Sequence, residues 1–311
     1  MSNYIISYEQ GYYNWYVSEF YKYFHKKLED KLNTHLEYEP ISIFAKRFNY
    51  ELDNHSDSLF NWFNLIIYNK DTEKFFVHSW YDYANATVEW CVRNQLNIVK
   101  FSAVSNIDQT LIDKYSFVQP SVYCLENWSD HDKIKEIKIT NQDKIKKIYF
   151  AGLDHGIRQN ILNRLKNYDI FNIFTKSQKV KPKEEYYNEL SKHLYGLSLN
   201  GAANICYRDI EIFGLGVLNL RDSLYSKTFN PLESNVHYIN FIDNQFIQNI
   251  LQNYDIDEQI KEKTQLLEDI LTSQKYQEII ENAYTWYATN CLPDSQFNII
   301  SSFLSDLTIL D

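Results

Sequence analysis

The chain has 311 residues, with 31 Lys+Arg against 41 Asp+Glu and a formal net charge of −10 at pH 7. This length exceeds one small core and suits two domains of roughly 100–200 residues each. The acidic balance argues against a nucleic-acid binder, which usually carries a basic field. The four cysteines, Cys91, Cys124, Cys206 and Cys291, form no CxxC pair and no cysteine–histidine cluster of zinc spacing, so they read as buried thiols of a reducing compartment. Residues 1–7 lack a basic region followed by a long apolar stretch, and no run of about 18 apolar residues occurs anywhere. A soluble, cytoplasmic protein without a transmembrane segment is expected.

In chain order, residues 3–7 read as a short strand, followed by a Glu9-Gln10-Gly11 turn and a helix over about 14–32. The helix carries a stripe of Trp15, Phe20, Tyr23, Phe24 and Leu28 at helical spacing. Apolar runs at 65–68 and 74–79 have strand length and flank an Asn69-Lys70-Asp71 turn signal. Residues 86–95 read as helix and 96–103 as strand, which makes the first half α/β. Between 127 and 147 the chain turns polar and lysine-rich, and a domain boundary is expected near 140. Such a run also suits peripheral contact with an acidic membrane surface, although a charge run is more often a solvated face. The same grammar then restarts, with a strand at 147–150, a loop at 152–156, a helix at 157–166 and a strand at 170–175. Repeated βαβ alternation predicts mostly parallel sheets covered by helices. Four helices close the chain at about 243–253, 256–271, 273–290 and 294–307.

Six of the seven glycines fall between Gly152 and Gly216, in strand-to-helix contexts where α/β proteins bind phosphates. The first such segment runs from Ile148 through Gly152, Asp154, His155 and Gly156 to Arg158: a strand, a glycine-flanked loop and a helix start. A helix N-terminus offers unpaired N–H groups and partial positive charge, and an arginine in its first turn adds a bidentate partner for phosphate. The segment is neither GxGxxG nor GxxxxGK[ST], which weakens the dinucleotide and P-loop readings. The second segment runs from Leu197 through Ser198, Asn200, Gly201 and Asn204 to Tyr207, Arg208, Asp209 and Glu211. At helical periodicity Asn204, Tyr207, Arg208 and Glu211 share an arc of about 100°, with Cys206, Ile210 and Phe213 opposite, so one face packs and the other is free to meet a cleft.

The run from Cys206 to Leu218 resembles the R-x-x-E-x-x-x-x-G signature in the donor half of GT-B glycosyltransferases, especially exostosin-like and related bacterial and viral enzymes. The likeness is to a superfamily and covers about 145–290. It implies two Rossmann-like domains facing a central cleft: an acceptor-binding domain at 1–140, a nucleotide-sugar donor-binding domain at 141–285, and C-terminal helices at 286–311 crossing back onto the first. It further implies that Glu211 binds ribose hydroxyls, that the loop from Ser198 through Asn200 and Gly201 contacts the diphosphate or base, and that Arg158, beside Gly152, stabilises the leaving diphosphate. Residues 236–241, with Glu233 before them, resemble the strand after the donor helix, and 282–287 the terminal crossing helix.

Relatives with a retaining mechanism often carry a second glutamate some seven residues before the equivalent of Glu211. Here that region holds Gly201 and Asn204, so an inverting reaction is expected. It needs a general base for the acceptor hydroxyl. Glu9, after the first strand, and Asp82, after the strand ending at Ser79, are the candidates, with His78, Asp154 and His155 behind them. The Asp130-His131-Asp132 and Asp255-Ile256-Asp257 patterns have the letters of a manganese motif, but neither follows an apolar strand, and both read as solvated loop residues. The expected reaction is metal-independent, with no cofactor. The diphosphate charge is then met by Arg158, helix dipoles, and Lys176 or Arg208; Tyr207 completes the donor-binding set. The partners implied are a UDP- or GDP-sugar donor and a glycan acceptor, with no nucleic acid. A non-catalytic nucleotide-sugar-binding protein and a Rossmann-type sugar-nucleotide oxidoreductase or epimerase are the alternatives, the latter lacking a glycine-rich loop near the N-terminus.

Overall fold

The computed structural model describes residues 3–10, 15–50, 57–81, 84–104, 107–122, 125, 128–137, 144–154, 156–175, 182–201 and 203–305. Asp82, His155 and Lys176 lie outside the described residues, as do Gly11 and Ala202. Packing divides the chain into two units: residues 1–128, 226–231 and 290–311, and residues 129–225 and 232–289.

The first unit holds a six-stranded sheet of β1 (Tyr4–Ser7), β2 (Glu37–Glu39), β3 (Asn64–Asn69), β4 (Lys74–Ser79), β5 (Ile98–Ala103) and β6 (Val118–Pro120), in the order β2-β1-β3-β4-β5-β6. Strand β3 runs antiparallel to both its neighbours, and the other pairs are parallel. The reversal comes from the hairpin at Asn69, whose side-chain oxygen accepts from the backbone N–H of Asp71 at 2.9 Å and of Thr72 at 3.1 Å. Asn is favoured in such turns because its amide mimics the backbone. The sheet is therefore mixed, and the carboxyl ends of β1, β4, β5 and β6 share one edge. Helices α1 (Trp15–Leu32), α2 (Ile41–Phe44), α3 (Ala84–Arg93) and α4 (Gln109–Lys114) belong to this unit. A core of Ile5, Phe44, Phe60, Ile66, Val77, Val88 and Phe101 lies on the sheet.

In the second unit, helix α5 (Trp128–Glu136) forms where a polar linker was expected. Its lysines point outward while Asp130, His131 and Ile134 are buried, so the Asp130-His131-Asp132 stretch is helical rather than a solvated loop. The sheet consists of β7 (Ile145–Gly152), β8 (Phe171–Thr175), β9 (His193–Ser198), β10 (Leu218–Asp222) and β11 (Ile239–Ile242), all parallel, in the order β11-β10-β9-β7-β8. Every residue of β9 and β10 is buried, as expected of central parallel strands covered on both faces.

Helices α6 (Ile157–Leu165), α7 (Lys183–Ser191) and α8 (Tyr207–Gly214) make the crossovers, and α9 (Asn244–Leu251), α10 (Asp257–Thr272) and α11 (Lys275–Asn290) follow the last strand. Right-handed crossovers put α6 on one face and α7 with α8 on the other. Gly196 seats α8 on β9, since a methyl there would lie 2.8 Å from Ile212 Cγ1. A final helix, α12 (Pro293–Ser305), groups with the first unit, where Phe297 packs on Phe24 of α1. The chain is thus an α/β protein with one mixed and one parallel sheet, an architecture compatible with two Rossmann-like domains.

Candidate functional site

Read as successive strands, β7 to β11 form a doubly wound sheet of 2-1-3-4-5 order, in which ligands bind beyond the carboxyl ends at the point where the strand order reverses. That switch point lies between β7 and β9. The loop after β7 contains Gly152 to Gly156 and leads into α6; the loop after β9 contains Leu199 to Cys206 and leads into α8. Both sequence segments singled out for phosphate chemistry therefore meet at one crevice.

Two arginines cross it in opposite directions. Arg158, in the first turn of α6, donates from Nη2 to Leu199 O at 2.6 Å and from Nη1 to Leu153 O at 3.3 Å. Arg208, in the first turn of α8, donates from Nη2 to Ala151 O at 2.7 Å and lies 4.4 Å above the Phe150 ring centre. Each reaches over a glycine of the opposite loop. A methyl on Gly201 would fall 2.8 Å from Arg158 Nη2, and one on Gly152, at φ +155°, would collide with Arg208 Nη2. A side chain at either position would push the guanidinium off its place. Neither arginine is ion-paired among the described residues, and the Nε of each is buried without a partner. Burial and then the nearby Arg208 cation push Arg158 below its ordinary pKa. Burial also works against Arg208, but Tyr186, Cys206 and Glu211 outweigh it and leave that arginine above its ordinary value. Two neighbouring cations that hydrogen-bond carbonyl oxygens and form no ion pair among the described residues make a place suited to a dianion.

A buried polar network backs the crevice. Arg221 Nη1 donates to Asp209 Oδ1 at 3.0 Å, and Nη2 donates to Asn204 O at 2.5 Å and Asn200 Oδ1 at 3.3 Å. Asp209 caps α8 by accepting from Cys206 N at 2.9 Å, and its other oxygen accepts from Asn219 at 2.9 Å. Asp222 Oδ2 accepts from Asn200 N at 2.9 Å, and burial pushes the Asp222 carboxyl up to about 6. Asn204 Nδ2 ties Asn200 Oδ1 (2.7 Å) to Ser223 O (2.9 Å). The sequence reading missed Asn219, Arg221 and Asp222. Their signal was a charged Arg-Asp pair closing an otherwise apolar run, the position a parallel strand gives to its functional edge.

Among the expected residues, Gly152, Arg158, Gly201 and Arg208 form the crevice itself. Asn200 borders it with its side chain turned into the network, Ser198 is buried with Oγ 3.6 Å from Cys206 Sγ, and Tyr207 is half-buried at the start of α8. Glu211 is 5 % exposed and faces α7: Oε1 accepts from Lys183 Nζ at 2.8 Å and Tyr187 OH at 3.3 Å, and Oε2 from Tyr186 OH at 3.0 Å. A ribose could replace these donors only by displacing them. In the first unit, half-buried Glu9 stands at the carboxyl end of β1 and accepts from Gln10 N at 3.2 Å. His78 is buried with both ring nitrogens engaged, by Trp80 Nε1 at 3.0 Å and Ser102 Oγ at 3.2 Å, and burial lowers its pKa to about 3. It cannot serve as a base without leaving those partners. Among the described residues no cluster of three His, Cys, Asp or Glu is placed to hold a metal ion, and no helix is long and apolar enough to cross a membrane.

The second unit thus defines a doubly wound α/β protein with a cationic switch-point crevice. Comparison with protein-family models and with curated proteins finds no match to the chain.

Proposed function

We propose that the protein is a glycosyltransferase of the GT-B kind, whose second unit grips the diphosphate of a nucleotide-sugar between Arg158 and Arg208. The observation that carries this reading is the crossed arginine pair at the switch point, without an ion pair among the described residues, because a doubly wound sheet presents its ligand there and two adjacent cations suit a dianion. In the reaction the bond from the sugar's anomeric carbon to the diphosphate breaks, and a bond from that carbon to an acceptor oxygen forms. The negative charge that develops on the leaving diphosphate is met by the two guanidinium groups and the α6 and α8 N-termini. The acceptor proton passes to a carboxylate, for which Glu9 and Asp82 remain the proposed bases.

Calorimetric titration of the full chain with UDP, GDP and their sugars, followed by a transfer or hydrolysis assay with whichever binds, tests the reading. Arg158→Ala and Arg208→Ala should each weaken nucleotide binding by about tenfold or more, the worth of one charge-assisted hydrogen bond. Absence of binding by any nucleoside diphosphate or its sugar, or binding indifferent to both substitutions, refutes it.

A further inference from the structure

One peptide group of the loop after β9 is held from both sides. The carbonyl of Leu199 accepts from Arg158 Nη2 at 2.6 Å, and the N–H of Asn200, which belongs to the same planar peptide, donates to Asp222 Oδ2 at 2.9 Å. In a trans peptide these two groups point in opposite directions, so the guanidinium and the carboxylate lie at opposite edges of one flat unit. The neighbouring residue belongs to the same seat: a methyl on Gly201 would meet Arg158 Nη2 at 2.8 Å, so the guanidinium lies along the backbone of residues 199–201. Its other terminal nitrogen, Nη1, donates to Leu153 O, 3.3 Å away in the loop after β7. Asp222 is fixed in turn. It is the last residue of β10 and 4 % exposed, its carbonyl accepts from Arg221 Nε at 3.0 Å, and its Oδ1 lies 3.6 Å from Arg221 Nη2. A continuous line of hydrogen bonds therefore runs from the end of β10 through the Leu199–Asn200 peptide and Arg158 to the loop after β7, across the ends of three adjacent strands.

We propose that Asp222 is a positioning residue for the anion site: by holding the N–H of Asn200 it fixes the Leu199 carbonyl on which the Arg158 guanidinium is seated. The inference rests on the reading of the crevice as a diphosphate site, and it gives a part there to a buried carboxylate that the proposed reaction does not use. Two physical effects support it. A peptide N–H that donates to a carboxylate shifts electron density toward its own carbonyl oxygen, which strengthens the bond that this oxygen accepts from a guanidinium. The carboxylate thus acts on Arg158 through a peptide and not as an ion pair, so the side chain is oriented while its charge is left for a ligand. An arginine seated before the anion arrives also gives up less rotamer freedom on binding.

The test compares Asp222→Asn, which keeps an oxygen acceptor for Asn200 N, with Asp222→Ala, which removes it. Both variants are neutral at this position, so the difference between them reads the hydrogen bond and not the charge. Asp222→Leu, which also lacks an acceptor but fills more of the space, serves in place of the alanine variant should that chain not fold. Two measurements are made on the full chain. In ligand-free protein, nitrogen-15 spectra of arginine side chains report Arg158 Nε–H, assigned by its loss in Arg158→Lys; the atom is buried, which slows its exchange with water. The resonance is expected to shift or broaden more in Asp222→Ala than in Asp222→Asn, and an equal response in the two overturns the proposal. Calorimetry with inorganic pyrophosphate follows. Asp222→Ala is expected to bind about fivefold more weakly than Asp222→Asn, the worth of one hydrogen bond, and the difference is expected to vanish in an Arg158→Ala background. Equal affinity of the two variants overturns the proposal. So does a difference that persists without Arg158, which would mean that Asp222 supports the loop and not the arginine. A parent protein that binds no pyrophosphate refutes the diphosphate reading, and the spectra then still decide whether Asp222 seats Arg158.

Discussion

Replacing Gly152 with alanine tests the arginine clasp directly. The added methyl would lie 3.3 Å from Arg208 Cζ and closer still to Nη2, so the guanidinium must leave its 2.7 Å hydrogen bond to Ala151 O. Losing a hydrogen bond to a charged group costs about 1.5–3 kcal/mol, and a non-glycine residue at φ +155° adds strain of about 1–3 kcal/mol. Because Nη2 is the far end of a flexible side chain and relaxes partly into solvent, the expected loss is about 2–3 kcal/mol in urea denaturation. A double-mutant cycle separates the two causes. In an Arg208→Ala background only the strain remains, so Gly152→Ala should cost less there by about 1 kcal/mol or more. Gly156→Ala supplies the control. It has φ +61° and ψ −141° with nothing within 4 Å of the added methyl, and should cost only the strain of that glycine-type backbone, about 1–3 kcal/mol, in either background. Additive effects of Gly152→Ala and Arg208→Ala would show that the two do not touch, and the clasp would have to be abandoned.

Three further outcomes are expected. The Asp222 carboxyl keeps its proton up to about pH 6 in the folded chain, whereas an unfolded aspartate loses it near pH 4, so its contribution to stability is fully present below 4 and lost as pH rises through 6. Asp222→Asn should remove a fall of about 3 kcal/mol between those pH values in urea titrations, and an unchanged slope would refute the assignment. Arg221→Met strands Asp209 and Asp222 without their cation and should cost about 3–5 kcal/mol at pH 7, with the loss shrinking at pH 5 as the Asp222 carboxyl takes up its proton. His78, lowered to about 3 by burial, should show imidazole nitrogen-15 shifts of the Nδ1–H tautomer that do not titrate between pH 8 and 5. Its sign is opposite to that of Asp222. An unfolded histidine takes a proton below about 6.5 and the folded one does not, so His78 costs stability as pH falls.

Much of the second unit was legible because a parallel sheet writes itself into sequence as apolar runs separated by loops and helices. The strand of Ile148 to Phe150, the glycine loop after it and Arg158 at the next helix start all stand where the pattern puts them. The mixed order of the first sheet was not legible. The Asn69 turn announces a hairpin, but nothing local says that the hairpin lies in the middle of an otherwise parallel sheet. Helix α5 was hidden for a different reason: lysines at Lys133 and Lys135 lower the average hydropathy of a segment whose other side buries Asp130, His131 and Ile134.

The helical wheel of α8 shows both the reach and the limit of pattern reasoning. It places Arg208 and Glu211 on one face, three residues apart, and the structure agrees. A shared face, however, is a line along the helix axis, and its two ends meet different neighbours. Arg208 sits in the first turn, level with the carboxyl ends of β7 and β9, where the crevice opens. Glu211 sits one turn deeper, where α7 covers the same face with Lys183, Tyr186 and Tyr187. Residues 183–191 carry no pattern that singles them out, and their place beside α8 follows only from the strand order, because the crossovers from β8 to β9 and from β9 to β10 run in the same direction and so put both helices on one face of the sheet. One basic and one acidic residue that look like a pair of ligand contacts are therefore separated by topology into a cation that meets the crevice and a carboxylate held by its own protein.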